Sequence, residues 1–228
     1  MKTRIIATIG PSSRDVQILK RMVKAGMSIG RINTKYADEA ETLELKNKLE
    51  SLGCEVMIDI IGKKAIPYLK NLNFDYLALS FASSARQINA LRKEFYPREI
   101  KIISKIENEK GVKNLHSIIK ASNGLMVARG DLGKNIKLEK LPVQQKLIIR
   151  ECNQFKKFVI TATEMLLSMV NSKTPTRAEV SDVANAVLDG SDAVMLSEET
   201  AIGKYPTVAV KVMAKVVKET EKTRHLLD

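Results

Sequence analysis

Eight short apolar runs punctuate the chain at RIIATIG (4–10), MSIGRIN (27–33), CEVMIDI (54–60), YLALSF (76–81), KIISKIE (101–107), GLMVARG (124–130), FVITATE (158–164) and AVMLSEE (193–199). Each is a compact Val, Ile, Leu or Met run, the pattern of a strand covered on both faces. The segments between them follow the helical period. SRDVQILKRMVKAG places Val16, Leu19, Met22 and Val23 on one face, with Ser12 or Ser13 ahead of Asp15 as the expected N-cap. ADEAETLELKNKLESLG, SARQINALRKEF, EKGVKNLHSIIKAS and PTVAVKVMAKVVKETEK behave alike, and Gly26, Gly53 and Gly190 fall where helices should stop. Strand and helix alternate eight times, which predicts a (β/α)8 barrel of the α/β class occupying residues 1–228 as one domain. Two connections depart from the pattern. GKKAIPYLKNLN, after the third strand, is short and contains Pro67. MLLSMVNSKTPTRAEVSDVANAVLDG, after the seventh, is long and predicts a turn at Lys173–Pro175 followed by a second helix.

Composition narrows the class. Hydrophobic residues make up 44% of the 228, enough for a full core, which excludes a disordered chain. The formal net charge is +12, but the lysines are spread along helices and interleaved with glutamate. That spacing marks solvated helix faces and favours an anionic small molecule over nucleic acid as partner. Cys54 and Cys152 are too few for a disulfide scaffold, lack metal-site spacing, and are expected to be inert. No run approaches the roughly 18–20 apolar residues of a membrane span. MKTRIIATIGPSS reaches Gly-Pro too soon for a signal-peptide core, so a cytoplasmic setting is expected. His116, in a helix, and His225, in the tail TRHLLD, carry no catalytic pattern. Met165, Met169, Met195 and Met213 read as packing.

Barrel sites lie at the carboxyl ends of the strands, and here those ends are polar. They offer Arg31 and Asn33, Asp59, Lys105 and Glu107, Arg129, Gly130 and Asp131, Thr163 and Glu164, and Ser197 and Glu199. Lys105 and Glu107 are two apart and so share a face. Glu107 and Asp131, from adjacent strands, suit one Mg2+ or Mn2+, which prefers oxygen ligands and keeps waters for substrate oxygens. Backbone N–H groups at Arg129–Gly130–Asp131 are placed to cradle a carboxylate. Lys105 would neutralise charge on a phosphoryl oxygen or an enolate.

IIATIGPSS, ISKIEN, GLMVARGDLG, TATEMLLSM and PTRAEVSDVANAVLDGSDAVMLSEETAIGKYP together closely resemble the barrel domain of the pyruvate kinase family, most strongly over 101–206. The resemblance implies a barrel that binds phosphoenolpyruvate or pyruvate with a divalent metal. By position, Lys105 resembles the family's phosphoryl-transfer and enolate-stabilising lysine, and Glu107 and Asp131 its metal ligands. Gly130 and Asp131 resemble the backbone that binds the substrate carboxylate. Thr163 resembles the threonine beside the point of enolate protonation, and Arg31 the arginine near the transferred phosphate. Arg129, Asn33, Asp59 and Ser197 count with these as candidate substrate-binding residues.

The departures from the family pattern are as specific. Pyruvate kinases insert a lid domain after the third strand and follow the barrel with a regulatory domain; this sequence is expected to carry neither. The family's Asn-Phe-Ser-His-Gly run reads Asn33-Thr34-Lys35-Tyr36-Ala37, which replaces a potassium-binding serine and a nucleotide-contacting histidine. In its Asp-Thr-Lys-Gly-Pro-Glu-Ile-Arg run, Ile60 and Ile66 replace a potassium ligand and a nucleotide-side arginine. Lys64 replaces a glutamate, as in potassium-independent members. Lys35 and Lys64 are therefore expected to substitute for a monovalent cation, with no K+ requirement. Three functions remain open. The first is a pyruvate-kinase-like phosphotransferase of glycolytic type using ADP/ATP weakly or another acceptor. The second is a metal-dependent aldolase or lyase working on a 2-keto acid through a pyruvate enolate; Glu164 and Glu198 are added carboxylates that either serve such chemistry or, the favoured reading, simply pair with nearby lysines. The third is a non-catalytic metabolite-binding barrel. Surface left bare by a missing regulatory domain also points to a homo-oligomer.

Overall fold

The computed structural model describes residues 2–223; the tail with His225 lies outside them. The element order is β1 (Arg4–Thr8), α1 (Val16–Ala25), β2 (Ile29–Asn33), α2 (Glu39–Ser51), β3 (Glu55–Ile60), α3 (Ile66–Leu69), β4 (Tyr76–Leu79), α4 (Ala85–Glu94), β5 (Lys101–Ile106), α5 (Glu109–Lys113) and α6 (Leu115–Ala121). It continues with β6 (Gly124–Ala128), α7 (Arg129–Asn135), α8 (Leu141–Gln154), β7 (Phe158–Ala162), α9 (Arg177–Leu188), β8 (Ala193–Leu196), α10 (Glu198–Ala201) and α11 (Pro206–Thr223). The eight strands close into a barrel in sequence order, every neighbouring pair parallel, with β8 returning to β1. The (β/α)8 expectation holds, and each strand lies inside its expected apolar run.

Several local expectations change. Asp15, not Ser12 or Ser13, caps α1, its carboxylate accepting from the N–H groups of Gln17 and Ile18. The segment expected as one helix over 109–121 is two, α5 and α6, broken at Asn114. There the Asn114 amide donates to Ser83 O in the connection between β4 and α4, a tertiary contact that overrides a continuous apolar period. Arg129, Gly130 and Asp131 open α7 instead of ending β6, and Glu199 lies within α10. The turn and second helix after β7 are present, as α9. Gly26 stops α1 at φ 123°, a conformation that favours glycine.

Because side chains alternate across a strand, each strand feeds two cores. Ile6, Ile29, Met57, Ala78, Ile103, Met126, Ile160 and Met195 fill the barrel interior. The other parity, such as Ile5, Ile32, Ile58, Leu77, Ile102, Val127, Val159 and Val194, packs outward against the helices. Two steps along the inward parity reach the ends of the barrel. At the amino-terminal end, Arg4 pairs with Glu55 and donates to Tyr76 Oη at 3.0 Å, and the Tyr76 ring stacks on Phe158 at 5.9 Å, so this polar and aromatic layer forms the barrel floor. At the carboxyl end the same parity delivers Thr8, Arg31, Asp59, Ser80, Lys105 and Ser197. Among the described residues, no helix is long and apolar enough to cross a membrane.

Candidate active site at the barrel mouth

Asp59 is the hub of the upper layer. Its carboxylate is fully buried and accepts from Arg31 Nε at 2.8 Å and from Lys105 Nζ at 3.2 Å, with Arg31 Nη2 also 2.8 Å from Oδ2. Burial alone would raise its pKa. The Arg31 guanidinium and Lys105 ammonium outweigh that and hold the carboxyl below the ordinary aspartate value. Arg31 Nη1 further donates to Thr8 Oγ1 at 2.8 Å. Lys105 Nζ also donates to Ser80 Oγ at 2.9 Å and lies 3.0 Å from Glu107 Oε1. Asp59 therefore orients two cations with its carboxylate rather than standing open to a ligand.

Glu107 is 1% exposed and accepts from the Phe81 N–H, whose residue sits at φ 52°. Burial raises its pKa, and the Lys105 charge and the Phe81 N–H offset part of that rise. The Asn135 side-chain amide donates to the backbone carbonyls of Glu107 at 3.1 Å and Asp131 at 2.9 Å, tying the end of β5 to α7. Among the described residues no cluster of three or more His, Cys, Asp or Glu could hold a metal. A donor set of two carboxylates, Glu107 and Asp131, still fits Mg2+ or Mn2+, which take oxygen ligands and fill remaining positions with water and substrate. The Asp131 carboxylate is half exposed, 3.5 Å from Lys134 Nζ.

On the β7 side, Thr163 Oγ1 accepts from Gly130 N–H at 2.7 Å and donates to Ala162 O at 2.6 Å. The Gly130 N–H expected in a carboxylate cradle is thus taken by Thr163. The first turn of α7 has no side-chain cap, so the Asp131 N–H has no intrahelical partner. Arg129 points its guanidinium at protein groups, Thr163 O, Glu164 O and Asp182 among them, instead of the mouth. Ser197 is 7% exposed and its Oγ has no hydrogen-bond partner, a buried polar atom left for a ligand. Asn33 Oδ1 accepts from the Lys35 N–H in a local turn.

Lys35 and Lys64 do not join the cluster. Both are exposed, and the Lys35 ammonium lies 5.1 Å over the Tyr36 ring. Sequence reasoning passed over Thr8, Ser80, Asn135 and Asp182. The inward parity of β1 and β4 was signal enough for Thr8 and Ser80. Asn135 and Asp182 stand on helices, where nothing local marks them. The remaining connection to the mouth, residues 61–75 between β3 and β4, holds only the one-turn helix α3 and an exposed pair of lysines, Lys63 and Lys70, on Glu94.

A closed parallel barrel with buried Arg, Lys, Asp and Glu at the carboxyl ends of its strands defines an α/β-barrel protein with its charged side chains gathered at the mouth, the end where barrel sites lie. Residues 37–210 match the family model described as pyruvate kinase, barrel domain. A pyruvate kinase of Thermococcus litoralis is 34% identical over 337 aligned residues, covering 99% of this chain and 71% of the relative. That alignment is longer than the chain, so the relative carries residues between the matched segments that this protein lacks. A pyruvate kinase of Dictyostelium discoideum is 49% identical over 174 residues, 74% of this chain and 34% of the relative, so the chain spans about a third of that protein's length. One from Methanocaldococcus jannaschii is 46% identical over 164 residues, 71% of this chain and 37% of the relative. The chain belongs to the pyruvate kinase family.

Proposed function

We propose that this protein binds phosphoenolpyruvate or pyruvate at the barrel mouth with a divalent metal, interconverts pyruvate and its enolate, and passes the phosphoryl group of phosphoenolpyruvate to an acceptor. The observation that carries this reading is Lys105, a 7% exposed ammonium held by Asp59, Ser80 and Glu107 at the top of the barrel interior. A cation fixed there stabilises negative charge as it develops on an enolate or phosphoryl oxygen, without reorganising at the moment of reaction. Arg31, 2.8 Å from the same carboxylate, brings a second fixed positive charge for the phosphate. Glu107 and Asp131 would hold Mg2+ or Mn2+, which when bound supplies Lewis-acid polarisation of substrate oxygens. The Asp131 N–H and Ser197 Oγ are the groups left for the substrate carboxylate. Thr163 stands on the β7 side as the hydroxyl for proton delivery to the enolate carbon.

Phosphoryl transfer is best served by a closed, dry site. The 61–75 connection is too short to cover a nucleotide, so enolate chemistry is expected to outpace transfer to ADP, and the acceptor can differ from ADP. Potassium independence belongs to the same proposal and rests on the losses at Lys35 and Ile60 rather than on a substituting ammonium. A cytoplasmic setting suits the two thiols: burial pushes Cys54 up to about 11 and Cys152 up to about 12, so both stay protonated.

Calorimetric titration of phosphoenolpyruvate, pyruvate and ADP, each with and without Mg2+ or Mn2+, tests the reading. Metal-dependent binding of phosphoenolpyruvate is expected, lost in Glu107→Ala and Asp131→Ala, and equal in potassium and tetramethylammonium buffers. Absence of binding by all three compounds overturns it. Metal-dependent binding of pyruvate alone, with cleavage of a 2-keto acid, would instead mark an aldolase or lyase.

A further inference from the structure

The turn after β7 is the most constrained backbone beside the mouth. Thr163 and Glu164 sit at φ 70° and φ 53°, both left-handed, and a β-branched residue such as threonine is seldom found there. Such a conformation persists only where its surroundings over-determine it. Arg129 provides that determination. It is 8% exposed, and its Nε and Nη2 donate to Thr163 O at 3.1 and 2.7 Å, with Nη2 also donating to Glu164 O at 3.0 Å. One planar fork thus donates to both carbonyls of the left-handed pair. Behind the fork, Nη1 is 2.7 Å from Asp182 Oδ2 and donates to Gln145 Oε1 at 3.3 Å.

The opposite edge of the turn is held by a buried carboxyl group. Glu199 is fully buried and accepts from the Leu166 N–H at 2.9 Å and the Ser197 N–H at 2.7 Å. Carbonyls on one side meet a buried guanidinium, and an amide on the other meets the buried Glu199 carboxyl. The grip fixes one reactive group, the Thr163 hydroxyl, aligned between Gly130 N–H and Ala162 O.

We propose that Arg129, backed by Asp182, is a positioning residue that fixes the Thr163 hydroxyl as a relay, giving its proton to the enolate carbon while taking one from a solvent water at the mouth, and does not itself touch substrate. The inference rests on the enolate chemistry proposed above. It explains why a buried guanidinium stands beside an anion-binding mouth yet spends its donors on carbonyls. Lysine at this position keeps the charge but loses the fork, so it cannot serve Thr163, Glu164 and Asp182 together.

The test is exchange of the pyruvate methyl protons for deuterium in D2O with Mg2+, followed by proton NMR. Arg129→Lys is expected to lower the saturating rate by about 10- to 100-fold, the scale of a misplaced reacting group, with the pyruvate KM changed by less than about threefold. Asp182→Asn, which leaves the fork's bonds to Thr163 intact, is expected to lower the rate less and in the same direction. In a Thr163→Val background the Arg129→Lys loss should disappear, because both changes remove the same hydroxyl placement. Additive losses, an unchanged rate, or a loss carried by KM overturns the inference. Should the unmodified protein show no exchange at all, the enolate reading fails, and amide hydrogen exchange at Gly130 decides the positioning role separately. Arg129→Lys is then expected to speed that amide by about tenfold or more at unchanged global stability, the mark of a local opening. An unchanged Gly130 rate would overturn it.

Discussion

Two buried cations, Arg31 and Lys105, share one fully buried carboxylate, Asp59. Removing one partner of such a set leaves uncompensated charge in a dry interior, which costs more than the intact set contributes. Asp59→Ala is expected to destabilise the protein by about 3–5 kcal/mol, read from the shift in urea midpoint. The folded protein holds the Asp59 carboxyl below the ordinary value of 3.8. Its contribution is therefore complete above that value and lost as pH falls through the lower folded value. Asp59→Asn should flatten this acid limb in denaturation below the ordinary aspartate value of 3.8; an unaltered limb would assign it to other carboxylates. Lys105 and Glu107 were legible from their spacing alone, since two residues in a strand share a face whatever the fold. The role of Asp59 was not, because its partners Arg31 and Lys105 come from neighbouring and next-neighbouring strands and are chosen by barrel closure.

Elements were legible where burial imposes a period. All eight strands show in the sequence because parallel strands covered on both faces are mainly apolar, with their charged residues confined to the ends. Helix ends were less legible: Asp15 capped where a serine was expected, and Asn114 broke a helix by bonding to Ser83. The start of α9 illustrates what a cap does beyond its own helix. Thr176 and Glu179 form a capping box, and the same Glu179 carboxylate accepts from Ser168 N–H and Oγ, fastening the segment after β7 to α9. Thr176→Ala is expected to cost about 0.5–2 kcal/mol. Glu179→Ala should cost more, since it frees the Ser168 contacts too, and thermal unfolding of the two variants ranks them. Arg129 is the instructive miss among site residues. Sequence position put it with the substrate ligands, while the chain turns its side chain toward α8 and α9.

Across the molecule, a net charge of +12 surrounds a mouth whose ligand is proposed to be a trianion or monoanion of small size. Such a field raises encounter rates and is screened by salt, with a Debye length of about 10 Å at 0.1 M. Association of phosphoenolpyruvate is expected to slow severalfold between about 20 and 300 mM salt, with dissociation little changed, as stopped-flow measurement would read. A salt-independent rate would confine the electrostatics to the buried cluster. The layer of Arg4, Glu55, Tyr76 and Phe158 beneath the interior gives the molecule a direction. With that end shut and the interior above it filled by side chains such as Ile6, Ile29 and Met57, the barrel is a shallow dish and not a pipe. Traffic runs through one opening, so whatever settles deepest must arrive before its neighbours and depart after them, and a product can be trapped simply by what still stands above it.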